Sequence, residues 1–219
     1  FKPEREIIGA VLSKSGSGIA QLLISTTSWV GLFKILAMFG STALAGYTIA
    51  IRIVTFALMP AWGLANAGAT LVGQNLGAGK PERAEEAVKI AMKLNVIVLG
   101  VVGIGFVLLA GPLIHLFNPE SDVAAFGAQS LWIVSLAFPL YAAGMCFEAA
   151  FNGSGDTWTP ARLNFMCLWV GQIPIAWFLS KTLSFGPVGA VISVPAAYSL
   201  LALWSWALFK RGKWKTQKV

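Results

Sequence analysis

The feature that most limits the fold is a run of 24 residues, 94–117, that holds no Asp, Glu, Lys or Arg. At about 1.5 Å per residue, a helix of that length crosses a hydrocarbon core about 30 Å thick. Five further apolar stretches, 17–40, 44–72, 123–151, 163–180 and 187–209, meet the same length test. They are too long and unbroken for a membrane barrel, whose strands alternate polar and apolar residues. The reading is all-α: a polytopic membrane protein with six transmembrane helices. Composition supports it. Only 11% of the chain is charged and 57% is hydrophobic, whereas a soluble domain carries about 25% charged residues. So few charges cannot cover a water-facing surface, which excludes a soluble domain, a disordered chain and a nucleic-acid-binding domain.

The turns between spans differ in charge. One side carries Lys2, Arg5, Lys14, Lys80, Arg83, Lys89, Lys93, Arg162, Lys210, Arg211, Lys213, Lys215 and Lys218; the other carries Lys181 alone. The positive-inside rule then places both ends of this segment in the cytoplasm. The same bias accounts for the net charge of +7 without a nucleic-acid partner. It also makes the basic tail attractive to anionic lipid. Residues 82–93 read as a short amphipathic cytoplasmic helix with Glu85 and Lys89 one turn apart. Ser121 or Asp122 is expected to cap the fourth span.

Ionisable groups at membrane depth are functional candidates. Lys34, near the outer end of the first span, can snorkel to the interface. Arg52 lies deeper and is expected to face the bundle. Glu148 is the sole acid inside a span. Arg52 and Glu148 are the candidates for an ion-coupling or pathway charge, and their depths are too different for direct pairing. Uncharged polar residues recur at Gln21, Ser25 to Ser28, Asn66, Tyr141, Asn164 and Gln172. Such groups either tie helices together or line a wet cavity. Pro60, Pro139, Pro174 and Pro195 fall inside spans, where proline frees carbonyls and bends helices. Four kinked helices suit a bundle that changes shape.

Enzyme chemistry is not expected. His115 is the only histidine, so neither a serine–histidine pair inside the bundle nor a zinc site can be assembled. Cys146 and Cys167, both in apolar runs, read as free packing thiols. No phosphate-binding or dinucleotide fingerprint occurs, and no cofactor is called for.

Four motifs in order carry a family resemblance. Gly46 to Ile53, the run Gly73-Gln74-Asn75-Leu76-Gly77-Ala78-Gly79-Lys80-Pro81-Glu82-Arg83-Ala84, Phe151-Asn152-Gly153-Ser154-Gly155-Asp156-Thr157 and Phe209 to Lys215 resemble segments of the multidrug and toxic compound extrusion (MATE) transporters. The resemblance covers essentially the whole chain. It implies a twelve-helix, two-lobe fold of which this is the carboxy-terminal lobe; the non-Met start at Phe1 fits an amino-terminal lobe lying upstream. It also implies export of organic cations, drugs and other amphipathic compounds by alternating access, with H+ or Na+ as coupling ion. In the sodium-coupled branch, acids occupy two mid-membrane places that hold Ser25 and Tyr141 in this chain. A proton is therefore expected rather than sodium, with its acid in the other lobe. Gln21, Ser25, Asn66, Tyr141 and Met145 are the expected cavity lining. A lipid-linked oligosaccharide flippase of the wider superfamily would want a cationic cavity, for which Lys34 and Arg52 are the candidates. A homodimeric six-helix channel or scaffold is the third reading.

Overall fold

The computed structural model describes residues 5–216; Lys2 and Lys218 lie outside them. Among the described residues there are helices and no strand. The order is α1 (Arg5–Ala37), α2 (Ser41–Gly77), α3 (Pro81–Phe117), α4 (Ser121–Ser135), α5 (Phe138–Gly153), α6 (Trp158–Asn164), α7 (Ile173–Trp177) and α8 (Gly186–Lys210). A 3-10 turn, Lys213–Thr216, follows α8. Five spans are single rods or continuous helical stretches, Trp158–Thr182 being the fifth in order; the fourth is the pair α4 and α5, bent by 55°. Outward-facing side chains such as Phe56, Leu108 and Leu116 are 76%, 73% and 81% exposed. An apolar surface of that kind is stable against lipid, not water.

The break in the fourth span has a local cause. Pro139 cannot donate an amide hydrogen bond, so α4 ends at Ser135 and α5 restarts with Pro139 in its first turn, where no donor is lost. Pro60, Pro112 and Pro195 behave differently, since α2, α3 and α8 run through them as single helices. Of the spans with an interior proline, the fourth is the one that breaks into two helices. In the fifth span, Pro174 opens the short α7, which is flanked by π-helical stretches at Phe165–Gln172 and Phe178–Thr182. Widened turns of this kind absorb a missing donor without breaking the rod.

Two expected details change. Residues 82–93 are not a separate helix but the first turns of α3, which runs from Pro81 straight into the apolar part. The cap of α4 is Glu120, with Asp122 in the first turn and no capping side chain from Ser121. Asn118 Oδ1 instead accepts the Glu120 amide at 2.8 Å.

Close helix contacts depend on absent side chains. A Cβ on Gly46 of α2 would stand 2.7 Å from the Val123 carbonyl of α4. One on Gly153 would stand 2.8 Å from Cα of Ala69 in α2. Small residues let membrane helices approach where no hydrophobic drive separates helix from lipid. These contacts hold α2 against α4 at one end and against the close of α5 at the other. Between them sits a core that includes Leu36, Leu99, Leu131 and Phe138, each at most 2% exposed.

Candidate functional site

The packing leaves a hollow of about 460 Å³ that mixes polar with aromatic and aliphatic side chains. Helical periodicity explains who lines it. In α1, Ser25 and Trp29 are one turn apart; in α2, Trp62, Asn66 and Ala69 fall on one stripe; in α5, Tyr141, Met145, Glu148 and Asn152 do the same. Asn164 and Leu168 from the fifth span and Tyr198 from α8 close the wall. Ser25, Asn66, Tyr141, Met145 and Glu148 thus come together in one place.

The aromatic wall is fixed from behind. The Tyr141 and Tyr198 rings meet edge to face at 4.7 Å. Trp29 Nε1–H donates to Tyr198 Oη at 3.4 Å, a long bond. Asn95 of α3 reaches the Ala142 carbonyl at 3.4 Å behind α5. Glu148 is the hollow's one acid. Its Oε1 is buried with no hydrogen-bond partner among the described residues.

Three named candidates sit elsewhere. Gln21 lies beyond the lining and ties α1 to the turn after α5. Its Nε2 donates to the Thr157 carbonyl at 2.8 Å and to Asn152 Oδ1 at 3.1 Å. Ser17 adds a hydroxyl contact to Thr157. Arg52 does not face the bundle: it is exposed on α2, away from the hollow, with no ion pair among the described residues. Lys34 is likewise exposed, in the last turn of α1.

Sequence reasoning did not single out Trp29, Trp62 and Tyr198. The available signal was register: Trp29 lies four residues after Ser25, and Trp62 four before Asn66. Among the described residues no group of three or more His, Cys, Asp or Glu could hold a metal ion.

A family model described as MatE matches residues 17–178, well over half of the chain. The chain belongs to the MatE family of transporters. Its members move solutes and are not enzymes, and this MatE chain is an integral multi-pass membrane protein. It is 28% identical over 186 residues to a probable multidrug resistance protein NorM of Thermotoga maritima, covering 85% of this chain and 40% of that protein. It is 32% identical over 170 residues to a NorM of Pseudomonas putida, covering 73% and 37%. It is 22% identical over 221 residues to the probable multidrug resistance protein YoeA of Bacillus subtilis, covering 100% and 47%. The solved MATE transporter ClbM, in complex with Rb+, superposes with a TM-score of 0.91 at 23% identity, covering 99% of this chain and 51% of that one. That likeness shows the fold. The chain spans less than half the length of these sequence relatives.

Proposed function

We propose that this MatE chain is the carboxy-terminal lobe of a two-lobe exporter of amphipathic and cationic compounds. Transport proceeds by alternating access in exchange for protons rather than sodium, and the basic end of the bundle faces the cytoplasm. The observation that carries this reading is the hollow itself. One carboxylate sits beside Tyr141, Met145, Trp29, Trp62 and Tyr198. Ring faces and a thioether accept varied apolar bodies, and rings attract cations. A single negative charge away from bulk water favours a positive guest. The two-lobe reading is supported by the share of the relatives that the chain spans. The orientation is supported by the basic turns. Proton coupling is supported by Ser25 and Tyr141 standing where the sodium-coupled branch has acids. Neither Lys34 nor Arg52 lines the hollow, which speaks against a polyanionic lipid-linked sugar as cargo.

In this reading Glu148 is the counter-charge for the guest, and the coupling acid lies outside this chain. The test is Glu148→Gln in the complete protein, reconstituted in proteoliposomes with a pH gradient. Efflux of a permanent organic cation is expected to fall at least about tenfold, about 1.4 kcal/mol, while a neutral amphipath is exported at the original rate. Equal loss of both would make Glu148 the coupling group instead. No loss of either would remove the hollow from the transport path. A requirement for sodium in the same vesicles would overturn proton coupling.

A further inference from the structure

The basic end of the bundle holds a second hollow, of about 310 Å³, between the start of α3 and the close of α8. Three ammonium groups reach it, from Lys89, Lys210 and Lys215, together with one carboxylate, Glu85. Lys89 Nζ lies 2.5 Å from Glu85 Oε1, and Lys215 binds the other carboxylate oxygen. One acid cannot neutralise three lysines, so an excess positive charge faces the opening. Lys210 has no ion pair among the described residues; its Nζ rests 4.7 Å from the centroid of the exposed Trp206 ring.

The floor is apolar and comes from Met92, Phe147 and Phe209. On the same flank of α8, Leu203 and Trp206 are 54% and 47% exposed, as lipid-facing residues are. The hollow therefore stands where the apolar surface of the bundle gives way to its charged end. A soluble anion would use the lysines and leave the exposed Trp206 ring wet. A molecule with one phosphate and two acyl chains uses both.

We infer that this hollow is a binding site for an anionic glycerophospholipid. The phosphate sits among Lys89, Lys210 and Lys215, and an acyl chain runs along Trp206 and the floor beneath it. Basic pockets between membrane helices bind such headgroups through point charges at the interface. Tryptophan at headgroup depth anchors the same boundary. The site is separate from the transport hollow, and the inference does not depend on what is transported.

The experiment is native mass spectrometry of the complete protein in detergent, with phosphatidylglycerol or phosphatidylcholine added at equal concentration. The wild type is expected to retain one phosphatidylglycerol in preference to phosphatidylcholine. Lys89→Gln with Lys210→Gln is expected to weaken retention about fivefold per lysine removed. Lys181→Gln, at the opposite end, leaves it unchanged. Inorganic phosphate in excess does not displace the lipid. Equal retention of the two lipids overturns the proposal. So does wild-type retention in the double variant, or displacement by inorganic phosphate. If the double variant does not fold, the wild-type melting temperature decides: stabilisation by phosphatidylglycerol beyond phosphatidylcholine is expected, and equal stabilisation overturns the site.

Discussion

Asn95 and Glu148 both present a buried oxygen with no hydrogen-bond partner among the described residues, yet their settings differ. Glu148 lines a hollow where a guest can supply the missing partner. Asn95 is enclosed between α3 and α5. Its Nδ2 makes only weak bonds, 3.4 Å to the Ala142 carbonyl, 3.5 Å to Cys146 Sγ and 3.8 Å to Met145 Sδ. A long bond to sulfur or a carbonyl contributes little, whereas a buried oxygen without a partner costs about 1–3 kcal/mol. The penalty outweighs the gain. Asn95→Leu, which has similar size and no polar atom, is expected to raise the thermal unfolding midpoint of the complete protein in detergent. Asn95→Asp, which adds charge at the same place, is expected to lower it. A Leu variant that melts well below the wild type would show that the weak Nδ2 bonds carry more than their lengths indicate.

At the scale of the elements, the packing rests on where side chains are missing. Gly153 closes α5 against α2, and an added Cβ there meets the backbone of Ala69 rather than a side chain that could turn aside. Backbone can yield only by moving a helix, and overpacking of this kind costs about 1–3 kcal/mol. Gly153→Ala is therefore expected to lower the melting temperature. Gly100→Ala, where nothing lies within 4 Å, is expected to leave it unchanged. Equal melting of all three proteins would refute the close approach. These contacts also mark what could be read in advance. The six spans were legible because burial in lipid demands long apolar runs, and such runs survive any detail of packing. The break before Pro139, the unbroken helices at Pro60 and Pro195, and the π-helical turns around Pro174 were not legible. A proline states only that a donor is missing; whether the helix breaks, widens or continues depends on neighbours that sequence does not locate. The same limit applied to the site. Polar residue type at membrane depth marked Ser25, Asn66, Tyr141 and Glu148 as candidates, but the outward turn of Arg52 and the tie from Gln21 to Thr157 depend on helix rotation and on a partner 136 residues away.

Across the whole molecule, the segment after α8 folds back onto the start of α3. Trp214 is 1% exposed, stacks on Phe209 with ring centroids 4.9 Å apart, and donates Nε1–H to the Phe209 carbonyl at 3.1 Å. Lys215 and Lys89 both bind Glu85, and Lys215 first and then Lys89 hold its carboxyl below the ordinary value of 4.5. Two forces thus dock the segment, and their magnitudes differ. Burying a large aromatic side chain stabilises by about 2–3 kcal/mol, while a partly exposed ion pair contributes about 0–1 kcal/mol. The ring is expected to dominate and the ion pair to add a pH dependence. Its sign follows from the depressed pKa: the ionic contribution is complete above about 4.5 and is lost as the pH falls through the lower value of the folded state. Fluorine NMR of the complete protein labelled with 5-fluorotryptophan reads this directly, with Trp214→Phe assigning the resonance. The Trp214 signal is expected to hold its position from neutral pH down to about 4.5 and to shift below it. Glu85→Gln removes that step and moves the signal slightly at neutral pH. If Glu85→Gln frees the ring completely at neutral pH, the ion pair, not the aromatic stack, is what docks the segment, and the ranking of the two forces is reversed.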